Sequence, residues 1–194
     1  VNSVKPCIIV LTAPSGSGKS SVAKELLDAF PGMHFSVSAT TRARRNHEVH
    51  GVHYHFLTQE QFDQELLDGL LLESEEVYPG CWYGTLLSEI DNSSAAAPVL
   101  LDIDVKGALN VKSQYGRDAF IVFIKPPPLA ELERRLRSRG TETESSLATR
   151  LDRATEEMGY AHRFDTVIVN DILETAVTDA TASIGAFLES HQNR

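Results

Sequence analysis

The stretch Ala13-Pro14-Ser15-Gly16-Ser17-Gly18-Lys19-Ser20-Ser21 has the residue types that hold phosphate. Gly16 and Gly18 let backbone N–H groups turn inward and approach oxygens where a Cβ would clash. Lys19 is long enough to reach terminal phosphates, and the Ser20 hydroxyl is a ligand of the kind Mg2+ accepts. Such loops usually open with glycine, and Ala13 stands there instead. Alanine fits if its φ is negative, which the following Pro14 favours. A second chemical cluster is Asp102-Ile103-Asp104. Two apart on a strand, the carboxylates face one side. A buried unpaired carboxylate is costly, so the pair predicts a ligand or metal there, with a structural cap as the other use.

The arginines fall into groups: Arg42, Arg44 and Arg45, then Arg134, Arg135, Arg137 and Arg139, with Arg150 and Arg153 following. Planar, bidentate arginine on an acidic body suits small anionic ligands. Arg134, Arg137 and Arg153 read as solvated helix faces. His47, His50, His53 and His55 do not follow a closed metal-site spacing and have no cysteine nearby, so they read as a polar loop rather than a zinc site.

The elements that must position these groups follow from periodicity. An apolar run over 7–12 reads as a buried strand, and 22–30 as a helix closed by Pro31-Gly32. Glycine-rich turn between strand and helix also places the phosphate loop at a helix N-terminus, whose partial positive charge attracts anions. Strands are expected over 33–38 and 53–57, joined by a basic loop at 39–45. Thr58 with Gln61 forms a capping-box signature for a helix over 59–68. Residues 70–77 fit a strand or a prolonged helix, and 81–85 a short strand. Buried strands follow over 98–104 and 119–124, and a fourth strand over 165–170. Helices follow over 105–112, 129–139, from a Thr141 or Thr143 cap to 158, and over 173–190. Strands alternating with helices predict an α/β domain: a parallel sheet with helices on both faces and ligands at the strand C-terminal ends.

Composition bounds the function classes. The 194 residues suit one domain, and 42% hydrophobic with 23% charged residues is ordinary for a globular chain. A net charge of −9 offers no broad basic surface, which argues against a nucleic-acid partner. The two cysteines, Cys7 and Cys81, make no disulfide framework, and no run reaches the length of a membrane span. The chain reads as cytoplasmic, without a membrane partner.

Taken in order, the phosphate loop, Ser38-Ala39-Thr40-Thr41-Arg42-Ala43-Arg44-Arg45, Asp102-Ile103-Asp104, Arg139-Gly140-Thr141-Glu142-Thr143-Glu144 and Val167-Ile168-Val169-Asn170-Asp171 resemble the guanylate kinase family over nearly the whole chain. The resemblance implies a P-loop NTPase core over about 1–35, 97–138 and 165–194. It adds a strand-rich GMP-binding insert over about 36–96 and a helical lid over about 139–164. It implies transfer of the γ-phosphoryl group of ATP to GMP, and to dGMP, in purine nucleotide metabolism and GMP recycling, with Mg2+ as cofactor and a monomer or homodimer.

The same resemblance implies roles by position. Residues 13–21 with Arg135, Arg139 and Asn170 would bind ATP. Arg42, Arg45, Tyr54 and Tyr83 would grip the GMP phosphate, and Ser38, Glu73 and Thr85 would read the guanine edge. Asp102 and Asp104 would lie near GMP and magnesium, with Ser20 as a Mg2+ ligand and Asp102 reaching the ion directly or through water. Arg150 would serve both nucleotides. Lys19, Arg42, Arg139 and Arg150 would act in catalysis. Without the resemblance, Tyr54 reads equally as a core strand residue and Glu73 as a surface acid. The family pattern is departed from at Arg44, where proline is usual, at Lys106, where glutamine is usual, and around Pro79-Gly80-Cys81, which is one residue longer. Two other functions compete: a kinase of another small phosphate ester such as a ribose bisphosphate, and a related binding module without catalysis. The first would lack the Ser38, Glu73 and Thr85 set, and the second would typically lack an intact Gly18-Lys19-Ser20.

Overall fold

The computed structural model describes residues 5–91, 93–138 and 144–193. The chain starts with strand β1 (Ile8–Thr12), every residue of it buried, and turns into helix α1 (Lys19–Ala29). Strand β2 (His34–Phe35) is only two residues long, because the chain then crosses to a second sheet. There lie β3 (Ala39–Thr40), β4 (His55–Phe56), helix α2 (Gln59–Leu67), β5 (Leu71–Tyr78) and β6 (Cys81–Leu86). A short helix α3 (Ser88–Asp91) leads back to β7 (Val99–Asp102), α4 (Val105–Tyr115) and β8 (Ala119–Lys125). Helices α5 (Leu129–Ser138) and α6 (Glu144–Met158), strand β9 (Thr166–Val169) and helix α7 (Leu173–Gln192) complete the fold.

The first sheet has the order β2-β7-β1-β8-β9, all pairs parallel. Its central strands β7, β1 and β8 are buried on both faces, which explains their unbroken apolar runs, whereas the edge strands β2 and β9 are partly exposed. The period of two divides β1 between two cores. Ile9 and Leu11 pack with α1 and α7 residues such as Leu26 and Ile184. Ile8 and Val10 pack on the other face with Leu101, Ala108 and Val111. Each large side chain fully buried there contributes roughly 1.5–3 kcal/mol. The strand ends that matter, Thr12 of β1 and Asp102 of β7, finish at the same edge of the sheet, Leu11 standing in register with Asp102.

The second sheet has the order β4-β3-β6-β5. Here the expected basic loop contains a strand: Ala39 and Thr40 pair antiparallel with Gly84 and Tyr83 and parallel with His55 and Phe56. The expected strand at 33–38 is correspondingly split, Ser36 to Ser38 forming the crossing. Glu89 of α3 pins that crossing by accepting the Val37 N–H at 2.9 Å. Residues 71–78 are a strand, not a prolonged helix, since β6 supplies their backbone partners. Thr58 and Gln61 form the capping box as expected. Helices α5 and α6 share a small core of Leu132, Leu136, Leu147 and Ala154.

Candidate active site

The loop between β1 and α1 is held from below. The Ser17 hydroxyl donates to the Pro14 carbonyl at 2.6 Å, and the Asn170 side-chain amide donates to the Ser17 carbonyl at 2.7 Å. Asn170, just past β9, is 4% exposed, so it lies beneath the loop. Gly16 and Gly18 have φ of 87° and 82°. A Cβ on Gly16 would come within 2.9 Å of Leu132 Cδ1 and Leu136 Cδ2, and one on Gly18 would collide with the Asn170 amide. Glycine is therefore required by packing against α5 and Asn170 as well as by the left-handed turn. Lys19 opens α1 and points across the edge of the sheet. Its Nζ pairs with Asp102 Oδ1 at 2.5 Å and donates to the Ile103 carbonyl at 3.0 Å.

A cavity of about 700 Å³ opens over this loop. Its far wall is α6, with Arg150, Arg153 and Glu157, and its floor includes Asp104. Arg150 Nη1 lies 3.4 Å from the Ser15 hydroxyl. Arg153 corrects the reading of a solvated face. Its Nε donates to Glu157 at 2.9 Å, and its Nη2 lies 3.6 Å from Asp104 Oδ2 and 3.8 Å from Glu75 Oε1. Arg134 and Arg137 do pair along their own helix with Glu131 and Glu133.

The other half of the site stands on the second sheet. Arg42 is held in a fork by Glu48, with Nη2 to Oε1 at 2.7 Å and Nη1 to Oε2 at 3.1 Å. Its remaining Nη1 hydrogen goes to the Ala43 carbonyl at 2.8 Å and its Nε–H to the Tyr83 hydroxyl at 3.1 Å. Of the five guanidinium hydrogens, one on Nη2 is left for a ligand among the described residues. Glu48 is 6% exposed and also accepts the Arg45 backbone N–H at 2.8 Å. The Arg42 fork, then the Arg45 amide, hold its carboxyl down at about 2. Arg42 also lies 5.4 Å from the Tyr54 ring, which meets Tyr83 edge-on. Arg45 itself is exposed.

Glu73 and Thr85 face each other across β5 and β6, and the Thr85 hydroxyl donates to Glu73 Oε1 at 2.7 Å. Burial raises the Glu73 pKa, opposed by that hydrogen bond and reinforced by the charge of Asp104. Its Oε2 is directed towards Gly107 in the first turn of α4. Ser38, in the crossing between the sheets, is half-buried and accepts the His55 N–H through its carbonyl.

The Guanylate kinase family model matches residues 5–186. The chain is 56% identical over 94% of its length to the guanylate kinase of Salinibacter ruber, of which it covers 97%. This chain belongs to the guanylate kinase family. It is also 48% identical to the guanylate kinase of Chlorobium luteolum, over 95% of this chain and 94% of that one. Among solved structures it is similar to guanylate kinase from Anaplasma phagocytophilum, with TM-score 0.74 and 31% identity over 95% of this chain and 87% of that one. A gluconokinase from Sinorhizobium meliloti shares the fold, with TM-score 0.55 at 22% identity.

Within this guanylate kinase fold, Lys19, Ser20, Asp102, Asp104 and Arg150 converge on one edge, and Arg42, Tyr54, Tyr83, Glu73 and Thr85 gather on the facing sheet. Arg139, the Thr141 and Thr143 cap positions and the side chain of Arg135 lie outside the described residues. Asp104 is both things its spacing allowed: it caps α4, accepting the Gly107 N–H at 2.7 Å, and it faces the cavity. His50 and His53 accept backbone N–H groups of Phe56 and Val49 through their Nδ1 atoms.

Sequence reasoning missed Glu48, Glu75, Arg153 and Glu157. Glu48 has a faint signal, an acid inside a basic run. Glu75 has one too, standing two residues from Glu73 and so on the same face of the strand. Its hydrogen bond to Asp104, then burial and the Asp104 charge, push Glu75 up to about 7. Burial works against ionised Asp104, but the Glu75 hydrogen bond, the Gly107 amide and the charge of Arg153 hold it below the usual range. A raised carboxyl binds its proton more tightly folded than unfolded, so its contribution to stability is present below the unfolded value and is lost as pH rises towards about 7. Glu75→Gln keeps a neutral partner for Asp104 at every pH. The thermal midpoint of this variant minus that of the wild type should therefore become more positive between about pH 5 and about pH 8. A difference that stays constant would show that Glu75 ionises normally.

Proposed function

We propose that the protein transfers the γ-phosphoryl group of ATP to GMP, and to dGMP, giving ADP and the nucleoside diphosphate. One observation carries the reading. The end of β7 joins two sites, Asp102 holding Lys19 of the phosphate loop and Asp104 lying against the acids of β5. A donor and an acceptor nucleotide bound on either side of that strand end would meet there. Core, acceptor insert over about 36–96 and lid over about 139–164 are the parts this reading assigns.

The loop amides and Lys19 take the ATP phosphates, with Arg150 closing from α6. Arg45, Tyr54, Tyr83 and the remaining Arg42 hydrogen bind the GMP phosphate; Glu48 and Tyr83 hold Arg42 in place. Glu73, Thr85 and Ser38 read the base, with Asp104 beside them. Asn170, assigned to ATP binding, serves that nucleotide through the loop carbonyl it supports. A GMP phosphate oxygen attacks the γ-phosphorus, the bond to the β-phosphate oxygen breaks, and ADP carries away that electron pair. The GMP phosphate is largely ionised at neutral pH, so no side chain has to remove a proton. The catalytic work is alignment and neutralisation of negative charge by Lys19, Arg42, Arg139 and Arg150.

The exposed Ser20 hydroxyl and the Asp102 carboxylate are the hard oxygen donors that Mg2+ takes alongside substrate phosphates, so the residues present fit that ion. Mg2+ would supply charge neutralisation on the phosphate oxygens.

With MgATP, GMP should elicit ADP release, and AMP, CMP, UMP and a ribose bisphosphate precursor far less. Folded protein that releases ADP equally with every acceptor, or with none, would defeat the assignment.

A further inference from the structure

Arg150 and Arg153 are three residues apart on α6 and so share a face. Arg150 reaches towards Ser15 of the phosphate loop. Arg153 reaches the other way, to Glu75 of β5 and Asp104 at the head of α4, while Glu157 one turn on holds its Nε. Helix α6 is packed on α5 through Leu132, Leu136, Leu147 and Ala154, and the same Leu132 and Leu136 lie against Gly16 of the loop. The loop, α5 and α6 thus form one continuous packed path that ends at Arg153. Of the residues Arg153 touches on that side, Glu75 is two positions from Glu73, which is assigned to the base, and Asp104 is itself assigned to the acceptor site. Arg153 also stands in the wall between the cavity over the loop and a second cavity of about 440 Å³ lined by Glu75, Lys106, Asp152, Glu156 and Tyr160.

We propose that Arg153 is a positioning residue that ties α6 to the acceptor side through Glu75 and Asp104, so that occupation of the donor cavity and of the acceptor site favour one another. The proposal rests on the reading of GMP as acceptor. The contacts of 3.6 and 3.8 Å are charge contacts that can shorten as the cleft closes, rather than finished hydrogen bonds. Arg153 is half exposed, and exposed ion pairs add little to global stability. Linkage between two sites needs only a modest preference for the closed arrangement, and typical coupling factors run from about 5 to about 150.

The test is the affinity for GMP measured with and without a non-hydrolysable ATP analogue and Mg2+, in wild type, Arg153→Ala, Glu75→Ala and the double variant. In the wild type the analogue should tighten GMP binding by about tenfold. That factor should fall at least about fivefold in Arg153→Ala and part of the way in Glu75→Ala, and the double variant should lose no more than Arg153→Ala, because Glu75 acts through its contact with Arg153. Arg153→Lys, which keeps the charge, should recover part of it. An unchanged factor in Arg153→Ala, or losses that multiply in the double variant, would overturn the proposal. Amide hydrogen exchange over 71–78 on adding the ATP analogue alone is the second readout: exchange should slow in the wild type and not in Arg153→Ala. If GMP fails to bind the wild type, the acceptor assignment is wrong, and the exchange result decides the role of Arg153 by itself. Should Arg153→Ala not fold, Glu75→Ala and Arg153→Lys carry the same comparison.

Discussion

Lys19→Met should lower turnover by about 10²–10³-fold, the usual consequence of removing one preorganised charge contact in phosphoryl or acyl transfer. Methionine keeps the length of the side chain and removes its charge. In the free protein the ammonium is fixed by Asp102 Oδ1 and the Ile103 carbonyl, so it is aimed before substrate arrives. In the proposed reaction, a charge held in this way would meet the negative charge developing on the transferred group with little reorganisation. The side chains of Lys19 and Asp102 are about one-fifth exposed, and water can solvate the carboxylate left behind. The fold should therefore survive, with near-native circular dichroism and cooperative melting. Turnover within about threefold of wild type, in a folded variant saturated with both nucleotides, would remove Lys19 from the reaction.

The other large effect concerns Glu73 and base selection. Guanine presents N1–H and a 2-amino group along one edge, and a carboxylate matches both with two acceptor oxygens. Adenine has an acceptor at N1 and no 2-amino group, so a buried carboxylate facing AMP loses both partners. Sites built on such a hydrogen bond reject the analogue by about 10⁴–10⁵. Thr85 sharpens the expectation for Glu73→Gln. Its hydroxyl donates to Glu73 Oε1, and a glutamine that keeps this bond places its amide oxygen there. The NH2 group is then turned towards the guanine donors, where it repels, and towards adenine N1, where it can donate. KM for GMP should rise sharply and the GMP-to-AMP ratio of kcat/KM should fall by about 10²-fold or more. Because burial raises the Glu73 pKa and guanine needs the ionised form, KM for GMP in the wild type should also rise as pH falls through that group. Glu73→Gln removes this component while leaving the titration of the GMP phosphate in place. An unchanged GMP-to-AMP ratio would separate Glu73 from the base and require another register for residues 70–85.

Much of the architecture can be read from local pattern alone. The apolar runs that become β1, β7 and β8 are buried strands because a parallel sheet covered on both faces demands continuous hydrophobicity, and that demand is written into consecutive residues. The phosphate loop is equally local: strand, glycines, Lys19 and helix start lie within one short segment, so its chemistry and its place at a helix N-terminus are visible together. Thr58 with Gln61, and Asp104 at a helix head, are legible for the same reason.

What depends on contacts between distant segments was decided by the tertiary structure. Ala39 and Thr40 are a strand because β6, more than forty residues later, supplies hydrogen-bond partners; their own polar surroundings suggest a loop. Gly18 is required by Asn170, which reaches under the loop from β9 at a sequence separation of 153. Arg42 owes its orientation to Glu48 and to Tyr83 on another strand. Arg153 has the sequence setting of a solvated helix arginine, with Glu157 four residues on, and nothing local distinguishes it from Arg137 with Glu133. The difference is that α6, packed on α5, holds Arg153 across the cleft from β5 and the head of α4, which brings Glu75 and Asp104 within reach of one guanidinium and not the other. Charge partners across a cleft have no periodicity and no fixed spacing in the chain, so a sequence can state which residues are able to pair, and only the packing of helices on sheets selects which of them meet.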